Sequence, residues 1–216
     1  MKIAIIGSGI SGLTCAYMLN RKHDITIFEK NDYIGGHTHT HETEHNGIKW
    51  NVDSGFIVYN ERTYPNFINI LDRLGVERQL TRMGFSVKSE KNDLEYAGHS
   101  LNGLFAQRSN LIRPSFIRML RSMWRFNSEA RADLKELDSD ITLGEYLKLN
   151  DYPEEFIQHF IIPIGAAIWS TVPHQMMNMP AIFFIRFFDN HGLLQIVDRP
   201  NWWVITGGSK RSIEKM

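Results

Sequence analysis

Apolar and polar positions at the start of the chain change periodicity twice. Residues 2–6 (KIAII) form a short apolar, β-branched run, which predicts a fully buried parallel strand. Apolar residues then recur at helical spacing over residues 11–21, and residues 24–29 alternate, as in a second strand. The pattern predicts a β-α-β unit. We expect the small Cys15 to be buried on the face of its helix.

The rest of the chain mixes strand and helix patterns. We expect a strand over residues 47–59, or two strands broken at Gly55, and then a helix over 64–74. Thr142 and Glu145 have the spacing of a capping box for a helix at 143–149. The remaining predicted elements are short strands at 85–89 and 94–96, helices at 114–137, 153–162 and 180–189, and a returning strand at 199–205.

The predicted turn after the first strand carries a glycine motif. Its sequence is GSGISG, formed by Gly7, Ser8, Gly9, Ile10, Ser11 and Gly12. The first glycine allows a tight turn, the second lets a pyrophosphate approach the backbone, and the third lets the helix pack closely on the strands. The N-terminus of the helix offers N–H groups and a partial positive charge to phosphates. This arrangement predicts dinucleotide binding.

An acidic residue follows at the end of the second strand. Glu29 is placed to accept hydrogen bonds from both ribose hydroxyls of an adenosine moiety. The next residue is Lys30 and no arginine follows directly, which argues against the 2′-phosphate of NADP. The first motif alone does not separate NAD from FAD.

A second glycine pair, Gly35 and Gly36, indicates another close approach of the backbone. The segments GSGISGLTCAYML and ITIFEKNDYIGGHTHT resemble the N-terminus of the FAD-dependent amine oxidase and carotenoid desaturase superfamily. The resemblance implies that this pair approaches the FAD pyrophosphate. It also places His37, followed by Thr38, where relatives usually have arginine. A histidine adds positive charge there only when it is protonated.

The resemblance extends along essentially the whole chain. GGHTHT followed by WNVDSGFIVYN resembles a bacterial branch of FAD/NAD-binding amine oxidase-like flavoproteins, which are often associated with cyclopropane fatty acid synthases. It implies that Gly55 and Phe56 contact the cofactor, on a segment leading toward the flavin ring. Residues 163–173 and 190–196 fit the substrate domain of that branch, and residues 202–216 resemble its return segment.

These likenesses imply an α/β fold, with a Rossmann-type FAD/NAD(P)-binding domain and a mostly helical substrate-domain insertion. We expect an FAD-binding segment at 1–80, a substrate or cap domain at 81–198, and a return segment at 199–216. Family members are roughly twice as long. We therefore expect a truncated chain that keeps the ADP half of the FAD site, binds FAD weakly and turns nothing over.

The implied activity is FAD-dependent oxidation of the amine oxidase or desaturase type. The flavin would accept a hydride from a C–N or C–C bond of a small molecule, with lipid or acyl compounds as one candidate class. The catalytic residues and the oligomeric state are not assigned. Two alternatives remain open: a flavin-dependent sugar-nucleotide mutase, and a dinucleotide-binding module without catalysis.

Composition and charge narrow the partners and the location. Lysine and arginine together number 24, as do aspartate and glutamate, which gives no reason to expect nucleic acid as a partner. A single cysteine excludes a disulfide framework within one chain and fits a reducing compartment. The N-terminus does not resemble a signal peptide, and the apolar run 156–169 is shorter than a membrane span. We expect a soluble cytoplasmic protein.

The histidine-rich run GGHTHTHETEH is a weaker candidate for function. Its spacing would place His37, His39 and His41 on one face of a strand, about 7 Å from one to the next. A zinc site needs a further ligand, and no other element announces one. We therefore predict no metal.

Other side chains have both a functional and a structural interpretation. Arg118, Arg121 and Arg125 recur at helical spacing, and we favour a solvated helix face over a lipid-binding surface. His191 is an acid–base candidate without a visible partner. Three tryptophans could line a flavin-side pocket, but we favour packing in the core for them: Trp169, Trp202 and Trp203.

Overall fold

The computed structural model describes residues 1–195 and 198–216. Within them the chain forms two compact units: Met1–Arg82 together with Asn201–Met216, and Met83–Pro200. We call these the first unit and the second unit. The motif predicted over residues 190–196 ends at Ile196, which lies outside the described residues.

The elements alternate between strands and helices in the first unit and are mostly helical in the second, so the predicted α/β fold class is confirmed. In chain order they are β1 (Lys2–Ile6), α1 (Ile10–Leu19), β2 (Asp24–Phe28), β3 (Thr40–His45), β4 (Ile48–Asp53), β5 (Tyr59–Asn60), α2 (Pro65–Leu74), β6 (Arg78–Thr81), β7 (Ser86–Ser89), β8 (Leu94–Ala97), α3 (Leu101–Leu104), a 3-10 turn (Arg108–Ile112), α4 (Pro114–Asp133), α5 (Leu143–Leu149), α6 (Glu154–Phe156), a π turn (Ile157–Ile161), α7 (Ile162–Trp169), α8 (Pro173–Met177), α9 (Ala181–Asn190), β9 (Trp202–Ile205) and α10 (Lys210–Glu214).

The first unit begins with the predicted β-α-β arrangement. β1 and β2 pair in parallel, with Ile3 opposite Ile25, and α1 connects them. β3 and β4 form an antiparallel hairpin whose turn, Asn46–Gly47, has two positive φ angles, as a tight hairpin turn requires. β9 pairs antiparallel with both β5 and β6. The apolar core of this sheet is formed by Tyr59, Leu71, Val76 and Ile205.

Two burial predictions for the first unit are wrong. β1 alternates between exposed and half-buried residues instead of being fully buried, and Ile6 at its end is 82% exposed. Cys15 is exposed as well. Both results have one reason: in the described residues β1 pairs with β2 alone, and this narrow sheet covers only the stripe of α1 around Leu13.

The second unit is organised around a helical core. The long helix α4 contributes Met119 and Phe126, which are fully buried, and α9 contributes Phe184 and Phe188. β7 and β8 form an antiparallel hairpin, as the pattern predicted. Thr142 and the Glu145 side chain form the predicted capping box at the start of α5.

The segment after Pro153 differs from the prediction. A helix was expected to end near residue 162, but α6, the π turn and α7 continue the helical path to Trp169. Pro163 lies directly after the π turn, near the start of α7, and the helical path continues past it although proline has no N–H to donate. A helix long and apolar enough to cross a membrane does not occur in the described part of the chain.

Candidate dinucleotide-binding site

The loop between β1 and α1 contains glycines of two kinds. A Cβ built on Gly12 would lie 2.1 Å from the Gly7 carbonyl oxygen and 3.2 Å from Cγ2 of Ile5, so the packing of α1 on β1 requires glycine there. Gly9 has an ordinary φ of −66°, and a Cβ built on it meets no described atom within 4 Å. The space beside Gly9 is therefore open, and no described atom of the protein packs into it.

The N-terminus of α1 opens toward this space. The helix begins at Ile10, and the Leu13 N–H donates to the Gly9 carbonyl at 3.0 Å. Gly9 occupies the N-cap and has no side chain that could accept from the first-turn N–H groups. An uncapped first turn, formed here by Ile10, Ser11 and Gly12, is suited to binding an anionic group.

The second glycine pair lies directly against the first loop. The Gly35 N–H donates to the Ser8 carbonyl at 2.9 Å, and Gly9 and Gly35 form an isolated parallel bridge. A Cβ on Gly36 would come within 3.2 Å of the Gly9 Cα, and both Gly35 and Gly36 have positive φ. The fold thus brings together two glycine motifs that are more than twenty residues apart in sequence.

The predicted positions after the glycine pair complete this surface. The Phe56 N–H donates to the His37 carbonyl at 2.9 Å, and a Cβ on Gly55 would lie 2.3 Å from the same oxygen. Thr38 is buried, and its N–H donates to the Gly35 carbonyl. The ring of Phe56 packs on aromatic neighbours of the first unit, so its side chain belongs to that core.

Glu29 is held by hydrogen bonds from its own surroundings. Its Oε2 accepts from the Ser8 N–H at 2.8 Å and from the Ser8 hydroxyl at 2.5 Å. Its Oε1 accepts from the backbone N–H groups of Lys30 and Asn31 at 2.8 and 2.9 Å. These bonds, those from Asn31 and Ser8 above all, lower the pKa of Glu29 to about 2. The carboxylate is therefore ionised throughout the physiological pH range.

The return segment is anchored beside this surface through Asp53, a contact that the sequence did not reveal. The Asp53 carboxylate accepts from the Thr40 hydroxyl at 2.5 Å, and from the Ser209 N–H at 2.9 Å and its hydroxyl at 2.8 Å. A Cβ on Gly208 would lie 2.4 Å from Cγ2 of Thr40. Residues 156 positions apart meet here, and no periodicity in the sequence reports such a pairing.

The description "flavin containing amine oxidoreductase" belongs to a family model that matches residues 10–209. This match covers nearly the whole chain. The chain belongs to the flavin-containing amine oxidoreductase family. The prediction of the amine oxidase/desaturase type is thereby confirmed, and FAD is the cofactor of this family.

The chain is also similar to individual curated proteins. The chain is 24% identical over 187 residues to protoporphyrinogen oxidase 2 of Arabidopsis thaliana, a match covering 81% of this chain and 34% of that protein. It is 52% identical over 74 residues to a 1-hydroxycarotenoid 3,4-desaturase of Flavobacterium, covering 34% of this chain and 14% of the relative.

Solved structures show the same fold. Cyclohexylamine oxidase from Brevibacterium oxydans matches 99% of this chain with a TM-score of 0.66 at 19% identity, and the match covers 48% of that structure. The chain thus spans about a third of the plant relative and about half of this solved oxidase.

The histidine-rich run of this amine oxidoreductase chain does not form the expected row. β3 begins at Thr40, so His37 and His39 precede the strand. His39 stacks on Tyr33 with ring centroids 4.5 Å apart, and His41 lies 4.3 Å from His39. The described residues contain no group of three or more His, Cys, Asp or Glu side chains that could hold a metal ion.

Two of the three arginines predicted on one helix face, Arg118 and Arg125, have partners within the second unit. Arg118 forms an ion pair with Glu155, and Arg125 lies 4.0 Å from the ring centroid of Tyr152. Arg121 is exposed on the same helix. These contacts favour the interpretation of a solvated helix face.

The tryptophans and His191 are engaged in packing. Trp169 contacts the aromatic rings of α9 in the second unit, whereas Trp202 and Trp203 belong to β9 in the first. The Trp203 indole N–H donates to Glu61 at 3.1 Å. The His191 ring stacks on Phe187 at 3.9 Å, and its Nδ1 lies 2.9 Å from the Phe187 carbonyl oxygen. These contacts favour structural roles.

An open cleft of about 1160 Å³ lies within the second unit and was not predicted. β7 and its turn line one side, and α6 with the π turn lines the other. His159 faces it, with its Nε2 3.2 Å from the Asn92 amide nitrogen. Burial, and then the nearby charge of Arg113, lower the pKa of His159, which favours its neutral form.

Proposed function

We propose that the first unit binds the ADP portion of FAD on the surface formed by the GSGISG loop, Glu29, the segment from Gly35 to Thr38, and Gly55. The open space beside Gly9 carries this proposal. It lies at the uncapped start of α1, and a side chain at Gly9 would fill it without touching a described atom of the protein.

The chemistry of the surface fits a dinucleotide. The first-turn N–H groups of α1 and its positive end suit a pyrophosphate. The ionised Glu29 carboxylate is suited to a ribose hydroxyl as hydrogen-bond donor and would repel a 2′-phosphate. Lys30 contributes its backbone N–H to Glu29, while its side chain is exposed to solvent near the same end of β2.

For the activity of the whole protein, we propose oxidation of a small molecule at a C–N or C–C bond. Bound FAD would supply the hydride-accepting flavin, and the protein would orient the cofactor and the substrate and provide the electrostatic environment. A desaturase and an amine oxidase among the similar proteins support both bond types. We expect this chain by itself to bind FAD weakly and to turn over neither amines nor acyl lipids.

Calorimetric titration of the purified chain with FAD tests the binding proposal, with ADP and FMN as competitors. Since the proposed surface recognises the adenosine and pyrophosphate portion, ADP should displace FAD, whereas FMN should not. Displacement by FMN but not by ADP would contradict the proposal. Turnover of a UDP-sugar without net redox change would instead favour the mutase alternative.

A further inference from the structure

The acceptor positions of Glu29 are all in use within the described chain. A carboxylate offers about four lone-pair positions, two on each oxygen. Oε1 accepts from two backbone N–H groups, and Oε2 accepts from the backbone N–H and the hydroxyl of Ser8. A ribose hydroxyl can therefore donate to this carboxylate only if one of the present donors leaves.

The four donors differ in their freedom to leave. Three are backbone N–H groups of Ser8, Lys30 and Asn31, and moving them would require rearrangement of the loops after β1 and β2. The fourth is the Ser8 hydroxyl, which can leave by rotation about a single side-chain bond. Ser8 is only 1% exposed, so its hydroxyl does not readily exchange Glu29 for water.

We propose that the Ser8 hydroxyl occupies the position on Glu29 that a ribose hydroxyl of the bound dinucleotide must take, and so lowers the affinity of the chain for the nucleotide. This inference rests on the proposed function and adds Ser8 as a residue that sets the affinity for the nucleotide. Turning Ser8 away releases one acceptor position, so Glu29 binds one ribose hydroxyl rather than both.

The consequence is a substitution that strengthens binding. In Ser8→Ala no protein hydroxyl occupies the acceptor position on Oε2, and no buried hydroxyl loses its partner when the ligand binds. We expect the Kd for ADP to fall roughly three- to tenfold, the range of one net hydrogen bond. Ser8→Gly removes the same hydroxyl and provides a second variant if the alanine chain does not fold.

A second ligand that lacks the ribose hydroxyls shows whether the gain in affinity arises at those hydroxyls. Titration of the wild-type and Ser8→Ala chains with ADP and with 2′,3′-dideoxy-ADP forms a double-mutant cycle between the Ser8 hydroxyl and the ribose hydroxyls. We expect the gain for ADP and none for the dideoxy analogue. A general change in loop structure would alter both affinities alike. Ser86→Ala, an exposed serine of β7 in the second unit, is the matched control for the substitution.

The outcomes separate this inference from the function on which it rests. If the wild-type chain binds ADP and Ser8→Ala binds it equally or more weakly, the inference is wrong and the proposed function stands. An equal gain for ADP and its dideoxy analogue also overturns the inference. If neither ADP nor FAD binds to any of the chains, the proposed function fails and the inference fails with it.

Discussion

The side-chain position of Gly9 can be filled with a methyl group to separate cofactor binding from folding. Alanine adopts a φ of −66° without strain, and its Cβ would meet no described atom within 4 Å. Because alanine restricts the unfolded chain more than glycine does, it stabilises the folded state by about 0.4–1 kcal/mol. Glycine is the better N-cap, by an amount of similar size. We therefore expect the free energy of unfolding of Gly9→Ala to stay within about 1 kcal/mol of the wild type.

The affinity for FAD should respond differently. The added methyl group lies in the space that we assign to the pyrophosphate, at the start of α1. Because the glycine motif depends on close approach of the backbone to the phosphates, we expect at least a tenfold loss of affinity, about 1.4 kcal/mol. Calorimetric titration with FAD and with ADP, together with urea unfolding of the same preparations, measures both quantities.

Gly12→Ala is the matched control in the same loop. Its Cβ would lie 2.1 Å from the Gly7 carbonyl oxygen, which is backbone and cannot rotate away. Overpacking of this kind costs about 1–3 kcal/mol or more, so this variant should lose stability as well as binding. Unchanged FAD affinity in a folded Gly9→Ala chain would refute the assignment of the space beside Gly9 to the pyrophosphate.

Three further predictions concern other parts of the chain. Because the pKa of Glu29 is lowered to about 2 from 4.5, its ionisation stabilises the fold above about pH 4.5, and this contribution is lost as the pH falls toward 2; Glu29→Gln should flatten that part of an acid-unfolding curve. Asp53→Ala should lower the free energy of unfolding in urea by about 1–3 kcal/mol, because the buried Ser209 loses its acceptor. Asp72→Ala breaks a partly exposed ion pair with Arg78 and should cost less than about 1 kcal/mol. Arg121→Ala should leave sedimentation with anionic liposomes unchanged, and a loss would favour a lipid-binding helix.

The sequence predicted local features well because they depend on neighbouring residues. The β-α-β unit, the β7–β8 hairpin and the capping box of Thr142 were all readable from spacing. The exposure of Cys15 could not be predicted from spacing, because it depends on the width of the sheet that covers α1. The continuation of the helix past Pro163 was missed because the π turn before it has no sequence signature.

The sequence named the residues of the candidate site but not the contacts among them. The resemblance directed both glycine motifs to the dinucleotide, and in the structure the Gly35–Ser8 hydrogen bond joins them. The sequence assigned Glu29 to ribose hydroxyls and did not show that Ser8 already donates to it. A serine at the second position of the motif has no pattern that reveals its hydrogen-bond partner, since that partner lies 21 residues away.

The structure divides the glycines of this site by what their side-chain positions would meet. At Gly12, Gly55 and Gly208 a Cβ would lie within 2.4 Å of another described atom, so packing alone explains these glycines. Gly9 has neither a close neighbour nor a positive φ, and the fold of this chain does not require glycine there. At the start of α1, this open side-chain position leaves room for a ligand to approach the backbone closely, as the proposed pyrophosphate would. Its place at the uncapped N-terminus of α1, where an anion is stabilised, supports the proposed assignment of this space to a phosphate group.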